Sequence, residues 1–175
     1  MTKLIFLCGP NGVGKSAVGK KLNERLYLSA YVDSDWCRCM NPYSFQNEMV
    51  DVNVSNMSDL LKNYINSDLF RYVVWTYGLH GRRREIYEKV MSNLKAYAFQ
   101  FMPFRLSCEI VENIERMKND RRDEERNRRA IEESRELYDD CPYEEIDTTG
   151  KTIDEVAEMI IDALDGSFDR EKAGW

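Results

Sequence analysis

The sequence carries no excess of positive charge. Its 175 residues have a net charge of −6, which argues against the simple basic kind of nucleic-acid binder. It has no C-x-x-C pair. Its five cysteines, Cys8, Cys37, Cys39, Cys108 and Cys141, are odd in number and irregularly spaced. That argues against a disulfide frame or zinc site and predicts reduced, mostly packing thiols. No apolar run approaches the roughly 18 residues needed to span a bilayer. The stretch Leu4–Cys8 is too short for a signal peptide and leads straight into a Gly-rich loop. The expected location is the cytoplasm, with neither membrane nor nucleic acid as partner. There is no internal repeat, low-complexity tract or second-domain linker. What remains is 43% hydrophobic and 32% charged, a globular balance in a chain long enough to bury its own core.

The apolar run Lys3–Cys8, stopped by Gly-Pro, reads as a buried strand. Lys15–Leu28 reads as a helix with Val18, Leu22 and Leu26 on one face. Ala30–Val32 reads as the next strand, ending at Asp33-Ser34-Asp35. Asn41–Ser67 has only a weak helical pattern, and its polar stretch Asn53–Ser58 predicts a loop. Arg71–Tyr77 is rich in β-branched and aromatic residues and reads as a third strand. Arg82–Ala96 reads as a helix. Phe101–Ser107 reads as a fourth strand, with Pro103 near its start or at an irregularity. Glu109–Asn119 begins another helix, and Glu144–Asp147 predicts a short fifth strand. Ile153, Val156, Ala157, Ile160, Ile161 and Leu164 follow helical spacing, and Thr152 with Glu155 fits a capping box. Residues 166–175 lack periodicity and predict a frayed tail after one domain over 1–165. Strands alternating with helices imply βαβ units, an α/β chain with a mainly parallel sheet covered on both faces.

Gly9-Pro10-Asn11-Gly12-Val13-Gly14-Lys15-Ser16 matches G-x-x-x-x-G-K-[ST] in full. Glycines let successive backbone N–H groups point into one concavity, where they bind anion oxygens. The loop opens a helix, whose first N–H groups add to the attraction. Lys15 supplies a positive charge for β- and γ-phosphates, and Ser16 a hydroxyl for Mg²⁺. The expected ligand is a nucleoside triphosphate, ATP first, on Gly9 through Ala17.

Ligands of a doubly wound sheet sit beyond the carboxyl ends of its strands. Asp33 and Asp35 end the second strand and are expected to face the same cleft. Two apart in extended chain, they would point the same way. One carboxylate can hold magnesium while the other accepts a proton from an attacking hydroxyl. The third strand ends in Thr76-Tyr77-Gly78 with no acid, which argues against a motor or switch ATPase and leaves the carboxylates to D-x-D. Trp36, Tyr43, Phe45, Trp75 and Tyr77 offer either an aromatic acceptor pocket or ordinary core. Between Arg116 and Arg135, eight basic residues interleave with six acids. Most read as a solvated helix face. One or two of Arg121, Arg122 and Arg126 are expected in a closing lid over the γ-phosphate.

In order along the chain, Gly9–Ser16, Asp33-Ser34-Asp35, Glu109–Arg122 and Ile146-Asp147-Thr148-Thr149 resemble the P-loop small-molecule and nucleotide kinases, among them adenylate, shikimate and gluconate kinases and chloramphenicol phosphotransferase. The resemblance implies a three-layer αβα P-loop NTPase fold with a five-stranded parallel sheet and a small helical lid at about 118–136. It implies transfer of the γ-phosphoryl of ATP, with Mg²⁺, to a small-molecule hydroxyl or phosphate. Lys15, Asp35, Arg121 and Arg122 would be catalytic. Asp33 would lie near Mg²⁺ with Ser16, Arg116 would flank adenine, and Thr148–Lys151 would approach its edge. Asp33, Asp35, Arg38, Tyr77 and Gly78 would meet the acceptor. Shikimate kinases carry a glycine triplet after the third strand, where this chain has Tyr77-Gly78-Leu79-His80-Gly81, a departure that argues against shikimate itself. The alternative is a non-enzymatic ATP- or GTP-binding module in which nucleotide orders the arginine-rich segment for a protein partner.

Overall fold

The computed structural model describes residues 1–119, 138 and 140–172, with only the backbone for Asn47 and residues 165–172. Its strands are β1 (Thr2–Cys8), β2 (Ser29–Asp33), β3 (Tyr72–Thr76), β4 (Phe99–Ser107) and β5 (Glu144–Asp147). All pair in parallel, in the order β2-β3-β1-β4-β5. The helices are α1 (Lys15–Arg25), α2 (Asn47–Asn66), α3 (Arg83–Leu94), α4 (Ile110–Asn119) and α5 (Ile153–Lys172).

Central β1 sends alternate side chains to opposite faces, as its pleat requires. Leu4, Phe6 and Cys8 join an apolar cluster with α2 and α3. Ile5 and Leu7 join a second cluster with α1 and α5. The result is the three-layer αβα P-loop fold. A parallel sheet covered on both faces explains why β1 reads as an unbroken apolar run.

The main departure from the sequence pattern is α2, one continuous helix through the stretch expected to be a loop. Val50, Val54, Met57, Leu61 and Ile65 recur every three or four residues and are all buried. Asn53 and Ser58 lie beside that stripe and are buried too. Ser58 Oγ accepts from Asn93 Nδ2 at 3.0 Å, so its polarity is satisfied inside the fold. Pro103 is the second departure. It lies mid-strand, opposite Phe6 of β1. β5 begins pairing only from Phe104, so β4 has a neighbour on one side alone at the proline, where a missing N–H is tolerated. Third, α1 stops at Arg25, and Leu28 takes a left-handed φ of 55° that turns the chain into β2. Fourth, the α5 backbone stays helical to Lys172, into the expected tail.

At the carboxyl end of the sheet, Ser34 Oγ donates to Thr76 O at 2.7 Å and accepts from Trp75 Nε1 at 2.9 Å. These bonds lock the ends of β2 and β3 together. The Thr152–Glu155 capping box forms at α5, with Thr152 N to Glu155 Oε2 at 2.8 Å and Glu155 N to Thr152 Oγ1 at 3.2 Å. All five cysteines are free. Cys8, Cys37 and Cys108 are buried, but Cys39 is exposed. The lid residues beyond Asn119, including Arg121, Arg122 and Arg126, lie outside the described residues. Among the described residues no helix is long and apolar enough to cross a membrane.

Candidate functional site

The loop between β1 and α1 is pressed against the fold from behind. Gly9 has φ 142°, and a Cβ there would lie 2.3 Å from Leu106 O of β4. Gly12 has φ 84°, and its Cβ would lie 2.5 Å from both Asn113 Oδ1 and Met117 Cγ of α4. Val13 is buried in the apolar cluster below. Gly14 is the N-cap of α1 and supplies no side-chain cap. The first turn of α1, Lys15, Ser16 and Ala17, therefore has no side-chain cap on its N–H groups, and these residues line the cleft with Gly14 and Asn11. Lys15 Nζ is folded back on the loop, donating to Gly9 O at 2.8 Å and Pro10 O at 2.7 Å.

Asp33 and Asp35 both line this cleft, but not as an extended pair. Asp33 is buried at the end of β2, whereas Asp35 has φ −67° and ψ −28° and starts a 3-10 turn, Trp36–Arg38. Asp33 Oδ1 accepts from the Asp35 N–H at 3.0 Å, which shapes that turn. Asp33 Oδ2 accepts from Tyr31 OH at 2.9 Å. A carboxylate can only accept, so Tyr31 spends its proton there and its oxygen receives Thr76 Oγ1–H at 3.2 Å. Burial, reinforced by the charge of Asp33, pushes the Tyr31 phenol well above its usual value, so it stays protonated and donating. Thr76 is the β3 partner of Asp33 in the sheet register. An acid on β2 therefore stands beside the β3 end that lacks one.

Asp35 is exposed, and its Oδ1 accepts from Arg38 Nη2. Tyr77 and Gly78 lie across the same side of the cleft with Arg83, the first residue of α3. Burial, and then the positive charge of Arg38, hold the Arg83 guanidinium below the usual arginine value. The aromatic pocket does not assemble. Trp75 is fully buried core, Trp36 is exposed with its edge on Tyr31, and among the five aromatics only Tyr77 lines the cleft.

At the opposite end, Arg116 donates to Thr148 Oγ1 at 3.0 Å, to Thr148 O at 2.8 Å and to Glu112. The Thr148 hydroxyl in turn donates to Ser107 O at the end of β4. Glu112 also accepts the Gly150 N–H at 2.8 Å, which with Arg116 holds its carboxyl below the usual range. The guanidinium plane is thereby fixed beside Lys151 and Thr152 at the cleft edge.

These parts enclose one cleft of about 930 Å³. Among the described residues, five basic side chains line it, Lys15, Arg38, Arg83, Arg116 and Lys151, against Asp33 and Asp35, in a chain whose net charge is −6. Of the expected site residues among those described, Asn11 to Ala17, Asp33, Asp35, Arg38, Tyr77, Gly78 and Arg116 line it, whereas Gly9 and Pro10 do not and meet it only through the Lys15 bonds to their carbonyls. Tyr31, Thr76, Arg83, Asn119, Ile153 and Val156 escape the sequence reading. Arg83 is one of three successive arginines, Arg82, Arg83 and Arg84, and no spacing marks it out. Ile153 and Val156 read only as core.

A family model for the AAA domain matches residues 5–139. No curated protein matches the chain in sequence. Solved structures share its fold over nearly the whole length. The tunicamycin resistance protein of Deinococcus radiodurans is 20% identical with a TM-score of 0.66, over 93% of this chain and 96% of that one. A gluconokinase from Sinorhizobium meliloti 1021 is 13% identical with a TM-score of 0.68, over 97% and 95%. The APS kinase of Mycobacterium tuberculosis, in complex with AMPPNP and APS, is 17% identical with a TM-score of 0.62, over 94% and 98%. At these identities the likeness is one of fold, the fold of P-loop kinases.

Proposed function

We propose, from the premise that this chain belongs to the AAA-domain family, that it is an ATP-dependent kinase transferring the γ-phosphoryl group to a small-molecule acceptor. The observation that carries this reading is convergence. An uncapped helix N-terminus with its lysine and a pair of carboxylates open onto one basic cleft. AMPPNP in the APS kinase complex supports ATP as the donor.

The donor set fits a polyphosphate, because backbone N–H groups and the Lys15 ammonium all offer hydrogen to anion oxygens. It also fits magnesium. Asp33 keeps lone pairs beyond the bonds from Tyr31 and Asp35, and Ser16 adds a hydroxyl. Such ions take one or two protein ligands and complete their shell with phosphate and water, neutralising phosphate charge. Lys15 leaves the carbonyls of Gly9 and Pro10 to meet the β- and γ-phosphates. Arg116 faces the base. Asp35 accepts the proton of the acceptor hydroxyl, and Arg121 or Arg122 covers the transferring group.

The test is ADP formation from ATP and Mg²⁺ with a panel of nucleosides, nucleotides, sugar acids and antibiotics. Acceptor-dependent turnover is expected. Asp35→Asn is expected to lower it by about 10²- to 10⁴-fold, the usual contribution of a positioned base, with nucleotide affinity retained. No turnover with any acceptor, or full activity in Asp35→Asn, sinks the reading.

A further inference from the structure

Two cysteines meet at the root of the phosphate loop, outside the cleft. Cys8 is the last residue of β1, directly before Gly9, and is fully buried. Cys141 lies in the chain leading into β5 and is half-buried. Both side chains belong to the apolar cluster on the α2 and α3 side of the sheet. The Cys8 thiol gives its hydrogen toward the Cys141 sulfur. The sheet register brings them together, because Cys8 stands opposite Arg105 of β4. Arg105 Nη1 donates to Tyr138 O at 2.8 Å, and the Cys141 N–H donates to the same carbonyl at 3.2 Å.

The two sulfurs have different surroundings. The hydrogen bond from Cys8, the Tyr143 N–H and the charges of Arg105 and Arg84 hold the Cys141 thiol below its usual value, which favours the thiolate. The bond to Cys141, and then burial, push Cys8 well above its usual value, against the charges of Lys15 and Arg105. Tyr87 and Tyr143, whose hydroxyls meet at 2.8 Å, complete the shell and stay protonated. One sulfur is reachable and ready to attack, while the other waits behind it, buried and protonated. That is the order in which an oxidised thiol and its resolving partner act.

We propose that Cys8 and Cys141 are a peroxide-sensitive dithiol, which closes to a disulfide between the root of the phosphate loop and the chain before β5. The Cys141 thiolate attacks one peroxide oxygen and the O–O bond breaks. The sulfur becomes a sulfenic acid, and the departing hydroxide takes a proton to become water. Cys8 sulfur then attacks Cys141 sulfur, the S–S bond forms and the S–O bond breaks. The hydroxide leaves with the Cys8 proton as a second water, so two thiols and one peroxide give one disulfide and two waters. Gly9 is packed against Leu106 O and has no room to follow the closing sulfurs, so the chain around Cys141 moves, and Tyr138 with it. The Tyr138 hydroxyl accepts the Leu79 N–H at 2.7 Å and faces the Gly9 N–H. Oxidation thereby loosens the loop that receives nucleotide. The cross-link itself does not rest on the kinase reading.

The test treats reduced protein with a small excess of hydrogen peroxide and maps its peptides without reductant. A Cys8–Cys141 disulfide within one chain is expected, reversed by dithiothreitol. In Cys8→Ala the reaction should stop at a Cys141 sulfenic acid that dimedone traps, and in Cys141→Ser Cys8 should stay reduced. The wild-type map decides the linkage even where Cys8→Ala does not fold. Oxidised wild type should bind AMPPNP at least tenfold more weakly than reduced protein, with peroxide-treated Cys141→Ser within twofold of its untreated form. Linkage of either sulfur to another cysteine, linkage only between chains, or Cys141 oxidised beyond the sulfenic acid with Cys8 still reduced overturns the dithiol. A complete disulfide with unchanged AMPPNP affinity overturns its hold on the loop. No AMPPNP binding in the reduced protein sinks the nucleotide reading instead and leaves the disulfide standing.

Discussion

The Tyr31 hydroxyl donates to Asp33 Oδ2 at 2.9 Å and joins β2 to β3 through Thr76. The same oxygen lies 3.4 Å from the carbonyl of Ser16. One phenol thus sits among the three places from which Asp33, its strand neighbour Thr76 and the phosphate loop are set. Asp33 is aimed by its neighbours rather than left to choose a rotamer.

Tyr31→Phe keeps the ring and removes the bond to Asp33. A hydrogen bond to a carboxylate is worth about 1.5 kcal/mol, which corresponds to roughly a tenfold change in an equilibrium constant. The magnesium concentration for half-maximal ADP formation is expected to rise by that factor, with ATP affinity in the absence of magnesium unchanged. A magnesium titration of the two proteins decides it. An unaltered requirement in a folded variant would remove Asp33 from the metal.

Gly9→Ala is expected to be among the most damaging single changes in the loop. The methyl would meet Leu106 O at 2.3 Å, a backbone atom of a central strand that cannot swing away, at a φ of 142°. Strained backbone and overpacking each cost about 1–3 kcal/mol. Urea unfolding should show a loss of roughly 3 kcal/mol. Gly14→Ala has ordinary space around its Cβ and should lose less.

Acid should loosen the nucleotide edge of the cleft. Glu112 holds Gly150 and Arg116, and its folded carboxyl lies below the ordinary value of 4.5. A depressed acid contributes its stability in full above 4.5 and loses it as pH falls through the folded value. The melting temperatures of wild type and Glu112→Gln should therefore differ by a constant amount from pH 7 to 5 and converge below 4.5. A gap that widens in acid would contradict the assignment.

The rule that residues two apart on extended chain share a face was sound at this site, but it belongs to a different pair. It holds for Tyr31 and Asp33, both in β2. It fails for Asp33 and Asp35, because the side chain of Asp33 captures the backbone of Asp35 and ends the strand. Such capture depends on a side chain choosing a local partner, which alternation does not reveal. The phosphate loop was legible because its backbone demands are spelled in glycine. β1 and β3 were legible because both faces of the sheet are covered there, so they read as nearly unbroken apolar runs. α2 was not, because Asn53 and Ser58 are buried polar residues, and composition equates polarity with solvent. Arg83 was missed because one arginine among Arg82, Arg83 and Arg84 has no distinguishing spacing, and only the turn after β3 selects which of them enters the cleft.

The contrast between a basic cleft and an acidic chain governs how a polyphosphate arrives. The net negative charge of the chain repels such a ligand at a distance, while the basic mouth of the cavity draws it in, so the protein's field works as a funnel that narrows the search. At physiological ionic strength dissolved ions erase that field beyond about 8 Å, so the guidance acts over the last few molecular diameters, where orientation as well as position is decided.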